Sequence, residues 1–314
     1  MKRFKDILCT VEPGKECKLA LERAVTLAEN NQAKLTVITV APSISAGIGM
    51  PEGGPISTEL QAATVNSHKQ ELENLVEPYR QRIKIETRVL IGTPFLEIIR
   101  EVLRNAHDLV IKCPESLDWL GRLFSSDDKH LLRKCPCPVW MVRPQTGESF
   151  DRILAAVDVD DSYPTKELKT RQALNEMVIE LASSLAVSEF AELHVVHAWE
   201  AIGEGIMRHG IFMQQPENEV NAYVDQVLRH HTQLLDTLMK EVSAKLGVDA
   251  AGYIKPQLHM PKGAARKVIP ELAKELQVDC IVMGTVARTG VPGLFMGNTA
   301  ETILDQLECS VLAI

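Results

Sequence analysis

Glycines and a carboxylate follow two apolar segments in the second half of the chain. Four glycines lie at or after the end of the apolar segment 279–283: Gly284, Gly290, Gly293 and Gly297. Glycine lets the backbone approach an anion closely, and the free amide groups at the start of a following helix favour negative charge. The apolar segment 153–157 ends in Asp158, whose carboxylate could accept a hydrogen bond from a base or a ribose. This pattern predicts a phosphate or nucleotide site, with a plain turn and a loop-capping aspartate as the alternative.

Other patterns that would indicate catalysis or metal binding are missing from the sequence or are badly spaced. There is no P-loop, no G-x-G-x-x-G after a strand and no G-x-S-x-G nucleophile elbow. His194 and His197 lie three apart on a predicted strand and face opposite sides, so they cannot share a metal ion. His230 and His231 are neighbours on a predicted helix, where we expect a solvated face. We therefore predict no catalytic residue, no activity beyond at most a slow ATPase, and no metal ligand.

The cysteines do not form a pattern typical of disulfide-stabilised proteins. There are seven, an odd number, and the apolar stretch 7–11 is too short for a signal-peptide core. Cys135 and Cys137 are a close pair, separated by one proline. Metal sites usually have two or more residues between their thiolates. We interpret this pair as structural, with a metal or redox role as the alternative.

The charge and hydropathy of the chain limit its partners. The formal net charge is −8, which does not favour nucleic acid, because phosphates need a basic surface. No run of about 20 apolar residues is present that could span a membrane. We therefore expect a cytoplasmic protein that binds neither nucleic acid nor a membrane.

The two halves of the chain repeat one plan. Two apolar segments recur: 4–12 as 150–158, and 137–142 as 309–314. The polar segment 143–149, which contains proline and glycine, separates the copies. We predict two domains, residues 1–146 and 147–314.

Within each half, predicted strands and helices alternate. Strands are predicted near 5–11, 35–41, 83–90, 108–113, 137–142, 151–158, 190–198, 251–259, 278–284 and 309–314. Helices are predicted near 15–31, 58–81, 94–106, 127–134, 165–187, 217–246, 263–276 and 299–307. Continuous apolar strands indicate burial on both faces, and hence doubly wound α/β domains with a parallel sheet and helices on both faces. Thr93 before Pro94 predicts a helix start, and Asn298-x-x-Glu301 resembles a capping box.

These segments resemble the universal stress protein family in its tandem form, over essentially the whole chain. The resemblance lies in the runs 153–158, 279–285 and 297–301, together with Cys309-Ser-Val. It implies a five-stranded sheet of order 3-2-1-4-5 in each half. It also implies that the halves pack as a pseudo-dimer through their last strands, while a further homodimer is left open.

Nucleotide-binding members of this family carry Gly, two residues, Gly, nine residues, Gly, and then Ser or Thr. On this chain Ala287 stands at the second glycine position and Asn298 at the Ser or Thr position. The resemblance implies that Asp158 and Val159 hold adenine and ribose. It implies that the phosphates are held by Gly284, Gly297 and Asn298, with Ala287 in the same loop. The implied ligand is ATP, ADP or AMP with Mg²⁺.

The first half departs further from this motif. Lys112 or Cys113 stands at the first glycine position, and Ser125 or Ser126 at the last. Side chains at these positions would fill the space that a phosphate needs, so we expect no nucleotide in this half.

Two apolar loops that contain glycine, 44–51 and 201–213, follow the second strand of each half. Loops of this kind must be covered or must cover another group, either within the protein or on a ligand. The sequence thus predicts a stress-response protein with an adenine nucleotide site in the second domain. The alternative is a binding or interaction module without nucleotide, which uses an apolar pocket for a lipid-like ligand or a protein partner.

Overall fold

A computed structural model describes residues 4–12, 18–44, 54–114, 124–144, 149–210, 215–246, 255–285 and 296–314. Ten strands of these residues form one sheet: β1 (Asp6–Thr10), β2 (Lys34–Ala41), β3 (Ile85–Ile91), β4 (Leu109–Lys112), β5 (Val139–Met141), β6 (Arg152–Ala156), β7 (Glu192–Val196), β8 (Gln257–His259), β9 (Cys280–Met283) and β10 (Ser310–Ala313). Their spatial order is β3-β2-β1-β4-β5-β10-β9-β6-β7-β8. The order 3-2-1-4-5 is therefore confirmed in each half, and with it the α/β fold class.

The two halves join through their last strands. Strands β5 and β10 pair antiparallel, with Trp140 opposite Leu312, whereas the other strand pairs of the sheet are parallel. An edge strand exposes unpaired amide and carbonyl groups, and this pairing satisfies both inner edges. The result is one continuous Rossmann-like sheet that runs through both repeats.

Nine α-helices are found among the described residues: α1 (Lys18–Asn31), α2 (Pro55–Val76), α3 (Pro94–Asn105), α4 (Ser126–Lys134), α5 (Thr165–Glu189), α6 (Glu204–His209), α7 (Glu217–Leu246), α8 (Ala265–Glu275) and α9 (Asn298–Leu304). A short 3-10 helix (Glu77–Tyr79) follows α2. Helix α6 lies within the segment 201–213, which the sequence predicted to be a loop. Within the described ranges, no helix is long and apolar enough to cross a membrane.

Two hydrophobic cores cover the two faces of the sheet, and each core includes residues from both halves. One contains apolar residues of α1, α2, α5 and α7, and the other those of α3, α4, α8 and α9. Neighbouring strand residues point to opposite faces, so Ile7 and Cys9 join the first core while Leu8 joins the second. This two-sided burial is why the strands read as continuous apolar runs.

Ion pairs between helices of different halves add to the strand pairing. Arg23 of α1 contacts Glu189 of α5 at 2.5 Å, and its guanidinium lies 3.6 Å from the ring centre of Phe150. On the other face, Arg133 of α4 contacts Glu301 of α9 at 2.5 Å. Lys129 of α4 likewise forms an ion pair with Asp305, which follows α9.

Candidate functional site

The carboxyl ends of β6 and β9 lie side by side in the second half. Ala156 is paired with Met283, so Asp158 and Gly284 follow neighbouring strand ends. Parallel sheets bind ligands beyond such ends. The Asp158 side chain, which is 45% exposed, accepts hydrogen bonds from Arg171 at 2.8 Å and from the Tyr163 hydroxyl at 3.1 Å. The Arg171 guanidinium also stacks on the Tyr163 ring, 3.5 Å from its centre.

The backbone around Asp158 is held by two further side chains. Asn175 of α5 accepts a hydrogen bond from the Asp158 N–H at 3.0 Å and donates one to its carbonyl at 2.7 Å. The Val159 N–H donates to Nδ1 of His197 at 3.4 Å, a long contact. These groups fix the turn that presents Asp158 and Val159.

A leucine side chain lies directly against Gly284. A Cβ atom at this position would come within 2.4 Å of Cδ2 of Leu174, so the Leu174 side chain of α5 would have to shift to accommodate any other residue. Close packing against Leu174 therefore favours glycine at position 284, whatever its role toward a ligand. The roles of Asp158, Val159 and Gly284 in nucleotide binding stay predictions.

The end of the glycine-containing loop returns to the sheet at Gly297. Its N–H donates to the Thr285 carbonyl at 3.0 Å. The capping-box prediction for Asn298 is wrong, because Asn298 is the first residue of α9 and Gly297, which has no side chain, is the N-cap residue. Glu301 contacts Arg133 of the first half instead of returning to the helix start. Ala287 lies outside the described residues.

In the first half, side chains fill the equivalent region at the carboxyl ends of β1 and β4. Thr10 pairs with Lys112, as its repeat equivalent Ala156 pairs with Met283, so Cys113 is the counterpart of Gly284. Lys112 is 3% exposed and its Nζ lies 2.8 Å from Oδ1 of Asp128, which is fully buried. Nζ also contacts Glu12 and the Cys113 carbonyl, each at 3.2 Å.

Helix α4 of the first half begins with the capping box that was predicted for α9. The Ser125 hydroxyl accepts a hydrogen bond from the Asp128 N–H at 3.1 Å, and the Asp128 carboxylate accepts one from the Ser125 N–H at 3.2 Å. Two amide groups at this helix start, those of Ser125 and Asp128, are thus bonded within the protein and are not open to a phosphate. Ser125, and not Ser126, is the N-cap residue.

Four histidines of the second half form two pairs. His194 contacts His259 at 2.9 Å and His197 contacts His231 at 3.0 Å, so the two strand histidines face different partners as predicted. The solvated-face prediction holds for His230, which contacts Asp161, but fails for His231, which is buried. Burial lowers the pKa of His197. Burial also lowers the pKa of His259, and the neighbouring His194 lowers it further. Within the described residues no cluster of three or more His, Cys, Asp or Glu side chains could hold a metal.

A second feature, an open groove, lies on the first half between α2 and the end of β3. Its volume is about 460 Å³. Its lining combines apolar and amide or hydroxyl side chains: Ile44, Ser57, Thr58, Gln61, Ala62, Val65, Asn66 and Ile91. Ile44 begins the first of the two apolar loops, whose residues 45–51 lie outside the described residues. In the other loop, Ile202 and Ile206 are strongly exposed at and beside α6.

Sequence reasoning missed the residues that surround Asp158. Tyr163, Arg171 and Asn175 come from α5 and the turn before it, where no motif marks them. A signal did exist for the first half, because Lys112 is a charged residue within an otherwise apolar strand. Such a residue must be paired when it is buried.

Comparisons with known proteins agree with this architecture. The profile of the Universal stress protein family matches residues 3–143 and 149–314. The chain is 30% identical to universal stress protein E of Escherichia coli, over all of this chain and 95% of that protein. It is 29% identical to the universal stress protein E homolog of Haemophilus influenzae, over 99% of this chain and 97% of that protein.

Solved structures show the same fold over almost the whole chain. A functionally unknown protein from Pseudomonas aeruginosa superposes with a TM-score of 0.68 and 27% identity, covering 99% of this chain and 92% of that one. A universal stress protein from Archaeoglobus fulgidus gives 0.64 and 16% identity, covering 98% and 97%. The chain, with its two repeated α/β domains, belongs to the universal stress protein family.

Proposed function

We propose that this chain is a stress-response protein whose second domain binds an adenine nucleotide weakly. The proposed ligand is ATP, ADP or AMP with Mg²⁺. The proposed binding residues are Asp158, Val159, Gly284, Ala287, Gly297 and Asn298. What supports the proposal is the contrast between the carboxyl ends of the central strands in the two halves. In the first half a buried Lys112–Asp128 pair fills the strand ends, whereas in the second half the carboxylate of Asp158 is half-exposed.

Two contacts must open before a nucleotide can enter. The Asp158–Arg171 ion pair is partly exposed, so it contributes about 1 kcal/mol or less and can open readily. Leu174 must also move away from Gly284, which costs packing contacts. Once released, the Arg171 guanidinium is a suitable partner for a phosphate. We therefore expect weak binding in which Arg171 exchanges Asp158 for the ligand.

We propose binding without catalysis. Hydrolysis of a nucleotide would need a positioned general base. The carboxylate of Asp158, at the neighbouring strand end, is held by Arg171 and Tyr163.

Isothermal titration calorimetry with MgATP, MgADP and AMP tests this proposal. We expect a Kd below about 1 mM, equivalent to a binding free energy of about −4 kcal/mol or stronger. Asp158→Ala should abolish the heat of binding. Glu12→Ala, which changes the equivalent carboxylate of the first half, is the matched control and should leave it unchanged. Absence of heat from the intact protein, or equal effects of the two variants, would contradict the proposal.

The groove on the first half supports a second candidate, an apolar or lipid-like ligand. Its volume of about 460 Å³ lies within the range of small-molecule sites, and Ile91 is 45% exposed within it. A fluorescent fatty acid should bind to the protein, and Ile91→Lys should abolish the signal. Leu103→Lys, at an exposed apolar position on α3, is the control. Equal loss in both variants would indicate nonspecific adsorption and would eliminate this candidate.

A further inference from the structure

The turn between α4 and β5 holds two thiols that neither candidate site uses. Cys135 follows the last residue of α4, Cys137 lies two residues before β5, and the chain bends at Pro136 between them. The two Sγ atoms are 3.7 Å apart, which is direct contact without a covalent bond. Both residues are partly exposed. The other cysteines of the described ranges are buried: Cys9, Cys113, Cys280 and Cys309.

The surroundings of these thiols differ in a way that controls reactivity. The hydrogen bond with Cys137 lowers the pKa of the Cys135 thiol. Burial raises the pKa of Cys309 to about 12 and that of Cys280 well above its ordinary value. The thiolate is the reactive form of cysteine and must be reachable from solvent. Cys135 combines both conditions, and Cys137 lies within contact of it.

The turn has few backbone hydrogen bonds to lose when the two sulfurs approach. A disulfide requires an S–S distance of about 2.05 Å, so the sulfurs must close by about 1.7 Å. Pro136 and Pro138 have no N–H group, so no hydrogen bond from these two residues can be lost. The Cys135 N–H donates to the Leu131 carbonyl at 2.9 Å as part of the helix end. That bond joins backbone atoms, so rotation of the side chains alone does not break it.

We propose that Cys135 and Cys137 are a redox modification site at which a small peroxide forms a reversible intrachain disulfide. With hydrogen peroxide as oxidant, the Cys135 thiolate attacks one peroxide oxygen, giving a sulfenic acid and hydroxide. The Cys137 thiol then attacks the sulfenic sulfur, and the S–S bond forms as water leaves. Two thiols and one peroxide thus give one disulfide and two waters. A dithiol reductant reverses the reaction.

This disulfide would lie between two elements that join the domains. Helix α4 carries Lys129 and Arg133, which form ion pairs across to the second half, and β5 pairs with β10. The disulfide would therefore restrain the turn that joins α4 to β5.

Peptide mapping of the full chain tests the proposal. The protein is treated with hydrogen peroxide, its remaining thiols are alkylated, and the peptide that contains Cys135 and Cys137 is weighed. We expect this peptide to carry no alkyl group and to have lost two hydrogen atoms, and dithiothreitol to restore both thiols. Cys135→Ser and Cys137→Ser should each abolish the bridged peptide, whereas Cys309→Ser should leave its yield unchanged.

The same measurement can overturn the proposal. It fails if both thiols remain alkylatable while peroxide has oxidised methionines elsewhere in the chain. It also fails if Cys135 is found bridged to a different cysteine, or if it accumulates as sulfinic acid with Cys137 intact. Because serine is close to cysteine in size, circular dichroism of each variant distinguishes lost chemistry from lost folding.

Discussion

Removal of the Lys112 charge should destabilise the protein strongly. Lys112 is 3% exposed and contacts Asp128, which is fully buried, as well as the partly exposed Glu12. Breaking a buried ion pair by removing one partner costs about 3–5 kcal/mol. Lys112→Met leaves two carboxylates without their cation, so we expect a cost near 5 kcal/mol, the upper end of that range.

Substitution of the partner residue Asp128, alone and together with Lys112, separates the effect of charge from that of packing. In Asp128→Asn, Lys112 keeps its contact with Glu12, so we expect a cost of about 3 kcal/mol. The asparagine side-chain oxygen can still accept the Ser125 N–H, which preserves part of the helix cap. The double variant Lys112→Met with Asp128→Asn removes both charges. Its cost should therefore be smaller than the sum of the two by at least about 2 kcal/mol.

Urea unfolding followed by circular dichroism gives these free energies. The control is Lys245→Met, which breaks an exposed contact with Glu176 of 2.6 Å and should leave the urea midpoint almost unchanged. The reasoning is refuted if Lys112→Met shifts the midpoint no more than this control. It is equally refuted if the two single costs add in the double variant, because the side chains would then not interact.

Three further outcomes are expected. Gly284→Ala should cost about 1–3 kcal/mol through overlap with Leu174, and Leu174→Ala in the same chain should relieve the overlap. Thermal unfolding of Gly284→Ala, of Leu174→Ala and of the double variant measures this. Glu189→Ala should cost about 3 kcal/mol in urea unfolding, because it removes a carboxylate from the buried Arg23, and a surface-like loss below 1 kcal/mol would contradict it. The unfolded chain takes up a proton at His197 below about pH 6.5, whereas burial makes the folded protein resist it. The free energy of unfolding should therefore fall as the pH drops below that value, and His197→Gln should flatten the dependence.

Residue patterns alone were sufficient to predict the alternation of strands and helices. The run 280–283 is apolar at each position because β9 is covered on both faces, and such runs indicate parallel strands. The strand order came from the family resemblance, since no residue pattern shows which strands are neighbours. The N-cap of α9 was wrongly predicted at Asn298, because Asn298 and Glu301 have the spacing of a capping box in the sequence. Only the tertiary contact with Arg133 shows where Glu301 lies.

The details of the candidate site depended on contacts between distant segments. Gly284 suits both a phosphate loop and close packing, and the sequence gives no sign that Leu174, 110 positions earlier, lies against it. The ion pair of Asp158 with Arg171 likewise depends on how α5 returns over the sheet. Lys112 was recognised as an obstacle to phosphate, but its partner Asp128 could be found only from the fold.

The contact of Arg23 with Glu189 makes the junction selective for two unlike halves. The left-handed residues that end α1 and α5 align the two helices, and this alignment relates Arg23 to Leu181 and Glu189 to Asn31. If the first half met a second copy of itself through this surface, each buried arginine would face an asparagine. If the second half did so, each glutamate would face a leucine. Self-association of the first half would thus leave two buried arginines without a counterion, and that of the second half two partly buried glutamates. The surface therefore favours contact with the other half of the chain over contact with a copy of the same half.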